Sequence, residues 1–151
     1  MEQIYQTYLN IIKNICTDSN DPVSVTPEQL PALANLAQEH CTVPFVLPCL
    51  RSASVYPSMK HQVKEMMLNY YQIEHFTRTT VSLLRENHID CYLLKGLSLA
   101  DCYPVPEYRK LGDLDLYLAE PEMLSQAQTV LESNGYILQD ELSDHHVTYY
   151  Y

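Results

Sequence analysis

From Met59 to Asn87 the chain keeps a single hydrophobic period for about eight helical turns. Val63, Met66, Met67, Tyr70, Ile73, Phe76 or Thr77, Val81 and Leu84 recur at three- and four-residue steps. That spacing lays a stripe along one face of an α-helix. Methionines and aromatics in such a stripe could line a ligand groove, but packing into a core is their ordinary use. The segments before this helix read as helical and the strand-forming segments come after it, so the chain is expected to be α+β.

Upstream, Ile4, Tyr5, Tyr8, Ile11, Ile12 and Ile15 form an amphipathic pattern over residues 2–17. Ser19-Asn20-Asp21-Pro22 breaks it. Thr26-Pro27-Glu28-Gln29 starts the next helix with a capping Thr, a Pro at the first helical position and a Gln at N3. Leu30, Leu33, Ala34 and Ala37 are its buried stripe, and Pro31 is tolerated near the first turn. His40 is read as packing at the C-terminus of that helix rather than as a ligand. Val43 to Leu50, interrupted by Pro44 and Pro48, suggests a short irregular helix, and residues 51–58 a loop. Residues 1–87 are therefore an expected helical N-terminal unit. No Gly/Ser-rich linker follows it, so one continuous body is expected.

Beyond residue 87 the elements shorten. Ile89 to Leu94 reads as a strand, Lys95-Gly96 as a turn, then a short helix and a loop with Pro104 and Pro106. A second strand is expected to carry Asp113 and Asp115, with Leu114, Leu116 and Leu118 turned into the core. Glu120-Pro121-Glu122 opens a helix buried through Met123, Leu124, Ala127, Val130 and Leu131, and Asn134-Gly135 closes it. Tyr136 to Gln139 is a strand, residues 140–144 a polar turn and His145 to Tyr151 a last strand. The order over 88–151 is β-α-β-α-β-β.

The net charge of −10 argues against nucleic acid as a general partner, since a nucleic-acid binder needs a basic face. No apolar run approaches a membrane span, and the N-terminus lacks a signal core. Five cysteines without a C-x-x-C pair read as reduced, mostly buried thiols of a cytoplasmic protein. Lys95, Arg109 and Lys110 are three of only nine basic residues. They stand just ahead of the aspartate pair, a local positive lining in an acidic chain.

Residues i and i+2 of a strand face the same side, roughly 6.5–7 Å apart. Asp113 and Asp115 can thus direct two carboxylates to one point. Two hard oxygen ligands suit Mg²⁺, which is held by one or two carboxylates together with substrate phosphates. The alternative is a solvated loop end capping a strand. His145 and His146 are adjacent, point to opposite faces of a strand and make a poor chelate.

Leu94-Lys95-Gly96, then Tyr103, Arg109 and Gly112-Asp113-Leu114-Asp115-Leu116, resembles the LKG…Y…R…(G)DhDh signature of an uncharacterised nucleotidyltransferase family with the DNA polymerase β-type fold. Ala37-x-x-His40 with Val43-Pro44, and later Gly135-Tyr136, resemble further segments of it. The resemblance implies a helical unit packed on a small mixed sheet, the transferase core being residues 88–151. It implies transfer of an NMP from an NTP to an acceptor hydroxyl, with Asp113 and Asp115 as catalytic metal ligands for Mg²⁺ or Mn²⁺. Lys95, Gly96, Ser98 and Arg109 would be the nucleotide- and phosphate-binding set, Gly96 opening a helix whose N-terminal amides meet the phosphates. It also implies a further strand with a third acidic residue, so a chain ending at Tyr149-Tyr150-Tyr151 reads as C-terminally incomplete, either a fragment or a reduced version of the fold, with an open sheet edge that would allow a homodimer. Asp140, Glu141 and Asp144 precede the expected strand and are not assigned. The other reading is an inactive module that keeps the fold and binds nucleotide or a partner.

Overall fold

The structure, a computed structural model, describes residues 2–19, 21–139 and 147–150. The polar turn expected at 140–144, its three acids, His145, His146 and Tyr151 lie outside the described residues. The architecture is α+β: helices first, then short strands and one further helix. It divides into two compact units, Met1–Ile73 with Gly96–Asp113, and Glu74–Lys95 with Leu114–Tyr151.

In the first unit, α1 (Glu2–Cys16), α2 (Leu30–Glu39) and α3 (Val43–Val46) share a core with the first part of α4 (Tyr56–Glu86). Leu33, Ala37, Val46 and Leu50 are wholly buried there. Tyr5 is the exception to the expected stripe, being 47 % exposed. At about 100° per residue it falls roughly 120° around the helix from Ile11, outside the buried face. Gln29 Oε1 accepts from the Thr26 backbone N–H at 3.0 Å, so the expected cap forms. Its first turn is a 3₁₀ helix, Pro27–Gln29, before α2 begins. Cys41 ends α2 in the left-handed region, φ 55°. His40 stacks on Tyr8, centroids 5.8 Å apart. The Tyr8 hydroxyl and Thr42 Oγ1 hydrogen bond at 2.8 Å. His40 is thus a packing residue at a helix end.

α4 begins at Tyr56, inside the stretch expected to be loop, because Pro57 is compatible with a first helical turn. Near its middle, Tyr70 and Ile73 pack with Leu97, Ala100 and Leu111 of the 96–113 segment. Asn69 Nδ2 donates to the Leu111 carbonyl at 2.8 Å, fixing the chain just before Asp113.

In the second unit, Val81, Leu84 and Ile89 form a core with Cys91, Leu116, Leu118, Ala127 and Val130. β1 (Cys91–Leu93) and β2 (Leu116–Leu118) pair antiparallel, with Cys91 opposite Leu118 and Leu93 opposite Leu116. α5 (Leu124–Ser133) covers this pair and ends where Gly135 takes φ 90°. Tyr136 then turns inward, its hydroxyl 2.7 Å from Thr80 Oγ1 and its ring tilted against Phe76. β3 (Ile137–Leu138) and β4 (Tyr149–Tyr150) form a second antiparallel pair. The described strands are thus two antiparallel pairs rather than one mixed sheet, and each is shorter than its sequence pattern suggested.

Candidate functional site

The second unit contributes Lys95 and Asp115. The ladder continues one step past β1 and β2, for the Leu94 N–H donates to the Asp115 carbonyl at 3.1 Å. This fixes the Asp115 backbone beside the end of β1. Lys95, the next residue after Leu94, then brings its Nζ to 3.0 Å from Asp115 Oδ2. The carboxylate is 31 % exposed and the ammonium side chain 58 %. Oδ2 itself is shielded from solvent and accepts no hydrogen bond from the described residues, so the ammonium meets it as a charge and not along a hydrogen-bond direction. A buried anionic oxygen is costly unless a cation or donor compensates it.

The expectation that Asp113 and Asp115 share a strand is corrected. β2 starts at Leu116, the ladder reaches Asp115, and Asp113 lies in the exposed segment that belongs to the first unit. The pairing stops because Gly96 turns the opposing chain away. Leu114, Leu116 and Leu118 are half-buried, as their alternation suggested.

In the first unit the 96–113 segment is drawn together at both ends. Gly96 has φ 62°, and a Cβ there would stand 3.4 Å from the Asp113 carbonyl oxygen. Glycine adopts this backbone without steric cost. The helix it opens is a seven-residue 3₁₀ helix, Gly96–Cys102, with Ser98 exposed on it. Arg109 Nε donates to the Gly96 carbonyl at 2.8 Å and Nη1 to the Tyr103 hydroxyl at 3.4 Å. Its guanidinium carbon also lies 5.7 Å from the Tyr103 ring centroid. Two of the five N–H groups of a guanidinium are used here, leaving three for a ligand. The turn before Arg109, Pro106–Tyr108, is held by Tyr71, whose hydroxyl donates to Glu107 Oε1 at 2.5 Å. That bond holds the Glu107 carboxyl below the usual carboxylate range.

The structure therefore joins Lys95 to Asp115, and Arg109 to Gly96. Lys110 departs from the expected lining, its Nζ lying 3.7 Å from Cys41 Sγ. Tyr103 had no assigned role in the sequence pattern; its place six residues before Arg109 is the signal that could have suggested one.

Among the described residues no three His, Cys, Asp or Glu side chains gather as a metal cluster. The shielded Oδ2 of Asp115, which faces a cation and takes no hydrogen bond from the described residues, has the chemistry of a ligand for a hard divalent ion. No described helix is long and apolar enough to cross a membrane.

No curated protein and no solved structure gives a significant match to the chain. Residues 26–151 match the model of a family described as uncharacterised nucleotidyltransferase. That span takes in α2 to α5, both strand pairs, the Lys95–Asp115 pair and the Arg109 tether. The chain belongs to this family of uncharacterised nucleotidyltransferases.

Proposed function

We propose that the chain moves an NMP from an NTP to an acceptor hydroxyl, with Asp113 and Asp115 holding Mg²⁺ or Mn²⁺. The observation that supports this reading best is the shielded Asp115 oxygen, which takes no hydrogen bond from the described residues and faces an ammonium 3.0 Å away. When bound, the divalent ion would neutralise charge developing on the oxygens of the transferred phosphoryl group.

The chain's own residues supply position and charge. Asp115 is fixed by its backbone bond to Leu94, so its carboxylate is presented from a rigid edge. Lys95 faces that carboxylate and can turn its ammonium to an arriving phosphate, since its side chain is more than half exposed. Arg109, oriented by Gly96 and Tyr103, offers its remaining N–H groups to an oxyanion. Gly96 and the exposed Ser98 complete the phosphate-binding set at the start of the 3₁₀ helix. In this reading residues 88–151 carry the transfer chemistry and the helical residues 1–87 its surroundings, and the five free cysteines belong to a reducing cytoplasm.

The Lys95–Asp115 ion pair also serves a second reading, a nucleotide-binding module in which Lys95 permanently neutralises Asp115. The two are separated with NTP labelled at either the α- or the γ-phosphate, incubated with Mg²⁺ and pooled small hydroxyl acceptors. Transfer of the α-label with release of the γ-label as pyrophosphate is the expected result. Transfer of the γ-label would contradict nucleotidyl transfer, and binding without either transfer would leave the module.

A further inference from the structure

The first unit contains a cavity of about 210 Å³ whose walls include His40, Phe45, Tyr103, Tyr108, Arg109 and Lys110. We propose that this cavity is the acceptor site, and that it takes a small hydroxyl-bearing molecule carrying one oxyanion group, a phosphate ester or a carboxylate. The inference rests on the transferase reading above and deepens it.

Size sets the first limit. At about 30 Å³ per water the cavity has room for roughly seven waters. It falls below the ~300–1,000 Å³ of pockets that enclose drug-sized ligands. One small molecule fits, or one group of a larger one.

Charge sets the second. Two of the chain's nine Lys and Arg residues line this one cavity, and among the described residues no Asp or Glu does, in a chain of net charge −10. A metal-bound triphosphate seeks carboxylates to share its ion. A carboxylate-free wall with a guanidinium and an ammonium suits an anion that arrives without metal. Lys110 is therefore assigned to the acceptor's oxyanion, beside Arg109, and Lys95, paired with Asp115, stays with the NTP.

The cationic groups are held in place. Arg109 is fixed by Gly96 and Tyr103 with three N–H groups to spare. Lys110 is exposed, and its Nζ is steadied 3.7 Å from Cys41 Sγ. The aromatic side is equally built. Phe45 stacks on Tyr103, with centroids 6.1 Å apart, and meets Tyr108 edge-on at 5.6 Å. Rings of this kind cover the apolar face of a sugar or hydroxy acid while tyrosine hydroxyls meet its polar edge. In the transfer, the acceptor oxygen forms a bond to the α-phosphorus and loses its proton to solvent. The bond from that phosphorus to the bridging oxygen breaks, and pyrophosphate leaves with the electron pair.

The test is calorimetric titration of the whole protein, without metal, with ribose 5-phosphate, tartrate and uncharged ribose. It is repeated on Lys110→Glu, whose side chain is exposed enough to leave folding intact, and each protein is titrated in parallel with Mg²⁺ and ATP. Metal-free binding of one charged probe and not of ribose is expected, weakened at least tenfold in Lys110→Glu with nucleotide binding unchanged. Whichever charged probe binds identifies the phosphate or the carboxylate. No binding of either, or equal binding by Lys110→Glu, would overturn the inference while bound nucleotide left the transferase reading standing. Displacement of the probe by ATP alone would also overturn it, by making the cavity part of the nucleotide site. A bound probe with no nucleotide binding would remove the acceptor assignment together with the transferase reading.

Discussion

Lys95 and Asp115 face each other across the end of the β1–β2 pair, Nζ to Oδ2 at 3.0 Å, where the backbone bond from Leu94 to the Asp115 carbonyl continues the register of the ladder. A divalent ion arriving at that carboxylate would meet an ammonium whose side chain is more than half exposed and can be displaced.

The pair should therefore matter more to ligand binding than to folding. Both side chains reach solvent, and exposed ion pairs contribute about 0–1 kcal/mol. Lys95→Met is expected to change the unfolding free energy by less than about 1 kcal/mol. The same substitution should weaken Mg²⁺-dependent NTP binding about tenfold, the value of one charge-assisted contact. Urea melts and NTP titrations on the same preparation check both.

Gly96→Ala tests the closure of the 96–113 segment. A side chain at φ 62° costs on the order of 1–2 kcal/mol. Gly112→Ala is the control, since a Cβ there meets nothing within 4 Å. Its unfolding free energy from urea melts should change by less than about 0.5 kcal/mol, with both slopes unchanged.

The long elements were legible because a helix repeats its pattern many times. The α4 stripe from Val63 to Leu84 and the α2 stripe from Leu30 to Ala37 are buried or half-buried along their length. The Asn134-Gly135 stop was equally plain, because only a residue suited to φ 90° ends the helix there. The strands were harder. Three residues, as in β2, hold too few alternations to mark where pairing begins, and Asp113 was carried into a strand that starts after it. The pairing of Lys95 with Asp115, and the hold of Arg109 on Gly96, depend on where a turn sends long side chains. No periodicity encodes that.

Glu107 should report on the turn that carries Arg109. The Tyr71 hydroxyl bond holds its carboxyl below the ordinary value of 4.5. A depressed folded value contributes stability above the unfolded pKa, and that contribution is lost as pH falls through the folded one. In Tyr71→Phe the Glu107 pKa should rise towards 4.5, and the acid limb of the stability curve should flatten slightly. NMR titration of the Glu107 carboxyl in both proteins measures the shift.

The thiols should fall into two classes. Burial pushes Cys49 and Cys91 up from the usual thiol range, whereas Cys16, Cys41 and Cys102 are exposed, against the expectation of mostly buried thiols. Iodoacetamide at neutral pH should modify the exposed three quickly and the other two only after unfolding, because the thiolate is the reacting form. Mass spectrometry of the native, alkylated protein reads this directly.

The most direct test is calorimetric titration of the wild type and of Asp115→Asn with each NTP, with and without Mg²⁺. Asparagine keeps the size of the side chain and removes the charge that faces Lys95. Binding that requires the metal and falls at least about a hundredfold in Asp115→Asn, close to the 3 kcal/mol of a strong charged contact, is the expected result. Equal binding by the two proteins, or binding indifferent to Mg²⁺, would contradict a metal site at Asp115.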